Sequence, residues 1–215
     1  MYSVILFDLD GTLTDSGEGI TNSVSYALEK MGITSYDKKT LYSFIGPPLK
    51  ASFAKYFGMT ETECENAVKE YRVYFKAKGM LENTPYDNVD TLLKSLKNKG
   101  KTLVVATSKP EEFAITILKH FGLFEHFDYV CGATMDGNRS EKSDVIKYAV
   151  KTAGITDKKL AVMVGDREHD IIGAKENGLD SIGVTYGFGS FSELKNAGAD
   201  HIVNTVSELE GLLLK

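Results

Sequence analysis

Four aspartates fall where they could act together on one anion. Asp8 and Asp10 close the apolar run Val4-Ile5-Leu6-Phe7, with Leu9 between them and Gly11-Thr12 directly after. Asp166 and Asp170 follow a second apolar run, Leu160-Ala161-Val162-Met163-Val164. A third run, Thr102–Ala106, ends in Thr107-Ser108-Lys109-Pro110, and Lys142 stands just before a helical pattern. If the three runs are parallel strands, these clusters meet at one edge of a sheet. Four carboxylates crowded and partly buried together repel one another and are costly without a cation. A hard divalent ion removes that cost. Magnesium suits the site, because it takes one or two carboxylates plus substrate phosphate and water. The Thr107 hydroxyl and the Lys142 ammonium would then hold an anion. A metal, a hydroxyl and a lysine around a free carboxylate describe phosphoryl transfer, which relies on positioning and charge neutralisation. One aspartate can serve as nucleophile, and another two residues on can protonate the leaving oxygen and then activate water.

The elements that must position these groups follow from the hydrophobic pattern. From Pro85 onward, continuous apolar strands alternate with amphipathic helices: Val89–Leu96, strand Thr102–Ala106, a helix through Phe113 and Leu118, and a short strand near Phe127–Val130. A helix over Asp144–Ala153, the strand Leu160–Val164, a helix over Ile171–Asn177, the strand Ser181–Val184, a short strand His201–Val203 and a terminal helix complete the series. This alternation implies an α/β fold, a doubly wound and mainly parallel sheet covered on both faces. Such sheets bind ligands at the carboxyl ends of their strands. Residues 17–80 read instead as helix, punctuated by Gly32, Gly46-Pro47-Pro48 and Gly58. The expected organisation is a core of residues 1–15 and 82–215, with an inserted all-helical domain at 16–81.

The ordered set Asp8-x-Asp10-Gly-Thr, Thr107 or Ser108 after a strand, Lys142, and Gly165-Asp166-x-x-x-Asp170 resembles the haloacid dehalogenase superfamily over the whole chain. The helical insert is similar to that superfamily's small helical cap. Ile45-Gly46-Pro47-Pro48-Leu49, Thr107–Pro110 and Val164–Asp170 resemble its phosphoglycolate phosphatase and 5'-nucleotidase-like branch. The resemblance implies Asp8 as nucleophile and metal ligand, and Asp10 as general acid and base with its backbone carbonyl on the metal. It further implies Asp166 as a metal ligand and Asp170 as its support. Thr107 would bind phosphate with backbone amides near Leu9, Asp10 and Ser108, and Lys142 would neutralise the nucleophile and the phosphate. Ser108 departs from the asparagine found there in many relatives.

The resulting expectation is a magnesium-dependent phosphomonoesterase for a small phosphorylated metabolite, such as phosphoglycolate or a nucleoside 5'-monophosphate. A phosphomutase or other phosphotransferase on the same scaffold is the alternative. A non-catalytic phospho-acceptor module is a third reading, opposed by the insert and by Asp10.

Other residues divide between functional and structural readings. Lys50, beyond Gly46-Pro47-Pro48, is a candidate for a second anionic group on the substrate. Lys109 reads equally as pocket lining or as a solvated residue. Asp15 reads as a helix cap, Arg167 and Glu168 as ion-pair formers, and His169 as a hydrogen-bonding neighbour. Gly100-Lys101-Thr102 has Ser95 where a phosphate loop needs its first glycine, and Gly187-Phe188-Gly189 lacks the third glycine of a dinucleotide fingerprint. No Gly-x-Ser-x-Gly elbow is present.

Composition narrows the class. The 215 residues carry a net charge of −5, with 42% hydrophobic and 26% charged residues. No concentrated basic surface for a nucleic-acid polymer is expected. Cys64 and Cys131 lie far apart in no metal-like spacing and read as reduced thiols. With no signal-like or membrane-spanning stretch, a cytoplasmic protein without membrane contact is expected, and Asn138-Arg139-Ser140 reads as a chance sequon. A monomer is expected, with a homodimer as the alternative.

Overall fold

The computed structural model describes all residues from 1 to 215. The chain separates into two compact units, Met1–Thr14 with Pro85–Lys215, and Asp15–Thr84.

The first unit is built on strand β1 (Val4–Phe7), whose side chains are almost all buried. After the short β2 (Thr14–Asp15) the chain enters the second unit, with α1 (Gly17–Lys30), α2 (Leu49–Phe57) and α3 (Glu61–Tyr74). It returns through β3 (Thr84–Pro85) and continues as α4 (Val89–Asn98), β4 (Thr102–Pro110), α5 (Glu111–His120), β5 (Tyr129–Ala133) and α6 (Lys142–Thr152). There follow β6 (Ala161–Gly165), α7 (Glu168–Glu176), β7 (Asp180–Val184), α8 (Phe191–Ala197), β8 (His201–Val203) and α9 (Val206–Leu213). Six strands form one sheet in the order β5-β4-β1-β6-β7-β8, and the pairings along it are parallel. The doubly wound, parallel α/β sheet expected from the sequence is therefore present.

Two apolar layers hold the sheet. Leu6, Val104, Ala106, Cys131 and Met163 pack against Val145, Ile146 and Ala149 of α6 and Ala174 of α7. On the helices α4, α5 and α9, Leu92, Leu93, Leu96, Phe113, Ile117, Leu209 and Leu213 are likewise buried. Both faces are thus removed from water, which is why the strands are apolar runs and not alternating patterns. The chain winds outward from β1 through β4 to β5, then crosses back to β6 on the other side of β1. The carboxyl ends of β1 and β6 therefore flank the point where the winding reverses, the place where open α/β sheets bind ligands.

The second unit is helical. Thr60 and Glu63 close a reciprocal cap at the start of α3: Thr60 N donates to Glu63 Oε2 at 2.8 Å, and Glu63 N donates to Thr60 Oγ1 at 3.4 Å. Asp15 Oδ1 accepts from Gly17 N at 3.0 Å, but it lies one residue ahead of the N-cap of α1, Ser16, whose side chain makes no cap hydrogen bond. The expected return at residue 82 falls inside this unit. Glu82 O accepts from Gly19 N, and its carboxylate accepts from Asn22 and Tyr74. Gly46-Pro47-Pro48 opens α2, with Pro48 as its N-cap.

Several elements differ from the sequence reading, among them β5, which runs Tyr129–Ala133 and not near Phe127–Val130, and α7, which starts at Glu168. β4 runs through Thr107–Pro110 and not only to Ala106, with a register irregularity between Thr107 and Pro110. Lys142 is the first residue of α6 and not a residue ahead of it. The helix α8 was not expected; it is held by the Ser190 cap and one buried leucine, Leu194, too short a pattern to register as a period. No helix is long and apolar enough to cross a membrane.

Candidate active site

The parallel register delivers the acidic groups to one edge. Phe7 pairs with Val105 of β4 and Val164 of β6, so the next residue on each strand emerges at the same level. Asp8 N still donates to Val164 O at 2.9 Å, which fixes the first acid as an extension of β1. Carboxylate oxygens of Asp8, Asp166 and Asp170 lie within 4.8 Å of one another, and all three residues are buried.

Each carboxylate is committed differently. Asp8 Oδ1 accepts from Leu9 N at 2.8 Å and pairs with Lys142 Nζ at 2.7 Å, leaving Oδ2 without a protein hydrogen bond. Asp170 has both oxygens occupied: Oδ1 by Lys142 Nζ at 2.9 Å, Oδ2 by Arg167 N at 3.0 Å. Asp166 Oδ2 accepts from Phe188 N at 2.8 Å, while its Oδ1 is buried and has no partner. Asp10 Oδ2 pairs with Lys109 Nζ at 3.0 Å, while Asp10 Oδ1 is buried without a partner. Burial, with the Asp170 and Asp8 carboxylates alongside, holds the Asp166 carboxyl well above the usual carboxylate range. Burial works against the Lys142 ammonium, but Asp170 and Asp8 outweigh it and hold its pKa above the ordinary lysine value.

These observations fit a hard cation. Four carboxylates against Lys109 and Lys142 leave two surplus negative charges, which a divalent ion balances. Asp166 offers a buried oxygen that nothing else satisfies, and an orphaned acceptor there costs free energy unless a ligand meets it. Asp166 has an oxygen to spare for such an ion and Asp8 Oδ2 is left for an incoming group, whereas Asp170 is spent on Lys142 and the Arg167 amide. Asp170 thus holds Lys142 and the start of α7 in place.

The family model for haloacid dehalogenase-like hydrolases matches residues 5–184. This chain belongs to that family. It is 43% identical over 212 residues to a 5'-nucleotidase of Pseudomonas aeruginosa, covering 99% of this chain and 96% of that protein. It is 39% identical over 186 residues to the tyrosine-protein kinase PtkA of Mycobacterium tuberculosis, covering 86% of this chain and 63% of that protein. A crystal structure of a predicted phosphatase from Clostridium acetobutylicum superposes with a TM-score of 0.96 at 55% identity, covering 100% of this chain and 99% of that one.

Within this hydrolase fold, the remaining candidate residues are placed as follows. Thr107 is 1% exposed and its Oγ1 accepts from Lys109 N at 3.2 Å. Lys142 Nζ donates to Ala106 O at 3.2 Å, beside it. Ser108 is half-buried. The Leu9 amide, expected to face a phosphate, is engaged by Asp8 Oδ1. Lys50 lies in the helical unit, exposed and paired with Glu65 Oε1 at 2.8 Å, so its charge is already shared with a neighbour on α3. Arg167 pairs with Glu193 at 2.8 Å, the structural ion pair expected of it. His169 is half-buried beside Asp170.

Two features escaped the sequence reading. Lys109, two residues beyond Thr107, is buried against Asp10, and the sequence does not show that β4 continues that far. The glycines around Phe188 form no dinucleotide site but a wall against Asp166. A Cβ on Gly187 would lie 2.2 Å from Gly11 O and 2.6 Å from Asp166 Oδ2. Gly11, at φ 82°, has its own Cβ position 2.2 Å from Asp166 Oδ2. Backbone therefore approaches the acid from both sides, and only glycine permits it.

Proposed function

We propose that this protein is a magnesium-dependent phosphomonoesterase working through an aspartyl-phosphate on Asp8. The observation that carries the reading is the Lys142 ammonium bridging Asp8 and Asp170, next to the buried and unpartnered Asp166 Oδ1. Asp8, Asp166 and the Asp10 carbonyl would hold the ion, and when bound it neutralises charge on the phosphate.

The chain's own groups do the rest. Thr107 orients the phosphate, with the Lys142 charge beside it, so that phosphorus faces Asp8 Oδ2, the oxygen free of protein hydrogen bonds. Attack forms the Oδ2–P bond, the ester P–O bond breaks, and its electron pair goes to the leaving oxygen, which takes a proton from Asp10. Water then attacks phosphorus, gives its proton to Asp10, and the bond pair returns to Asp8. Lys142 stays paired throughout, so the nucleophile never sits uncompensated in its buried setting.

A nucleoside 5'-monophosphate is the first candidate substrate, supported by the 43% identity to a 5'-nucleotidase; phosphoglycolate is the second. The test is a panel of phosphomonoesters assayed with magnesium, with chelator, and with Asp8→Asn. Phosphate release that needs both magnesium and Asp8 supports the reading. Release that survives chelation or Asp8→Asn contradicts it.

The 39% identity to PtkA supports a second reading, in which a hydroxyl replaces water as acceptor of the phosphoryl group. Comparing inorganic phosphate with phosphorylated acceptor in one reaction separates the two.

A further inference from the structure

The proposed mechanism asks Asp10 to take a proton from a water placed against the aspartyl-phosphate. A short carboxylate at a strand end has two rotatable bonds, so something must aim it. Lys142 cannot, because its ammonium is committed to Asp8, Asp170 and Ala106 O. Lys109 can. Its Nζ lies 3.0 Å from Asp10 Oδ2, and the two side chains are only 5% and 10% exposed. It is delivered by the irregular end of β4, where the register shifts between Thr107 and Pro110, a device that re-aims side chains beside active sites. The Lys109 amide is itself tied to Thr107 Oγ1, so the phosphate-binding residue and the lysine move as one piece. The other Asp10 oxygen, Oδ1, is buried and partnerless.

We propose that Lys109 is a positioning residue: by gripping Oδ2 it fixes the Asp10 carboxylate that takes a proton from the water cleaving the aspartyl-phosphate. The inference rests on the phosphatase reading above. In that step the water oxygen forms a bond to phosphorus, the P–Oδ2 bond to Asp8 breaks with its electrons returning to Asp8, and the water proton moves to the Asp10 carboxylate. Losing the grip leaves the first half-reaction intact for an ester whose leaving group departs without a proton, and slows the second.

p-Nitrophenyl phosphate is such an ester. With magnesium present, Lys109→Met is expected to give a near-stoichiometric burst of p-nitrophenolate followed by a steady rate about 10²-fold below the parent, while kcat/KM stays within about threefold. Acid quenching should show accumulated phosphoenzyme, and Lys109→Arg should restore the steady rate. The burst counts folded sites, so partial misfolding does not mimic the result; if Lys109→Met does not fold, Lys109→Gln carries the same comparison. A parallel fall in kcat and kcat/KM, or an unchanged kcat, overturns the proposal. A parent protein that releases no nitrophenolate fails the phosphatase reading instead. Lys109 is then judged by the crystal structure of the variant, where Asp10 turned away supports the proposal and Asp10 unmoved overturns it.

Discussion

The folded chain disfavours the charged form of Asp166. Burial and the nearby Asp170 and Asp8 carboxylates raise its pKa. Folding therefore favours its protonated form, a contribution complete below the unfolded value of about 3.9 and lost as pH rises through the raised folded value. In chelator at neutral pH, Asp166→Asn should unfold at a higher temperature, by about 2–4 °C for each kcal/mol gained. The difference should vanish below about pH 4, where both carboxyls are neutral, as followed by thermal melts. Lys142→Met has the opposite effect: it strands Asp8 and Asp170 as buried charges and should cost about 3 kcal/mol in denaturant titration. At this scale the sequence was informative where a side chain is proposed to do the chemistry. Asp8, Asp10, Thr107, Lys142 and Asp166 each follow an apolar run or open a helix, so position and residue type could be read together. Lys109 and Lys50 could not be placed that way, because their partners, Asp10 and Glu65, are far away in sequence and the direction of a long side chain leaves no pattern.

Among the elements, the loop Tyr186–Gly189 does as much for the site as any strand. Its Phe188 amide fixes Asp166 Oδ2, Tyr186 OH donates to Thr12 O at 3.1 Å, and Gly187 touches the Gly11 backbone. Burial, with Asp166 and Tyr86 nearby, pushes the Tyr186 phenol well up, so it remains a donor. Gly187→Ala should displace Asp166 enough to lower kcat/KM by about 10²-fold, with far-ultraviolet circular dichroism unchanged. This role is carried by main-chain amides and missing side chains, which is why the glycines read from sequence only as an incomplete nucleotide fingerprint. A similar anchor serves α6. Arg139 donates to Gly132 O at 2.9 Å, pairs with Glu111 at 3.5 Å and lies over the Tyr148 ring at 3.7 Å. It ties the loop ahead of Lys142 to β5. The parallel sheet itself was legible, because buried strands of a doubly wound fold are uninterrupted apolar runs. The strand ends were not, because β4 continues through polar residues that pack on the site and not in the core.

For the whole molecule, stability and activity are linked through charge. Asp128 joins α4 to β4: burial raises its pKa, but the bonds from Lys97 and the Leu103 amide outweigh it and bring the carboxyl below its ordinary value. A depressed carboxyl stabilises the fold above its unfolded pKa, and that contribution is lost as pH falls through the folded one. Asp128→Asn should therefore lower the melting temperature at neutral pH by an amount equivalent to about 1 kcal/mol, given the partial exposure of the pair, and the gap should close in acid. On the proposed reading, magnesium stabilises the fold on the same scale. It should raise the melting temperature of the parent protein by an amount that grows with the logarithm of its concentration above the dissociation constant, and leave Asp166→Asn unmoved. The account as a whole rests on Asp8 becoming phosphorylated. The direct measurement is to react the protein with a hydrolysable phosphomonoester and magnesium, quench in acid within one turnover, and locate the phosphoryl group by peptide mass analysis. A phosphoryl group on Asp8, absent when magnesium is withheld, is the predicted result. Phosphate release with no modified Asp8, or with the modification elsewhere, would contradict it.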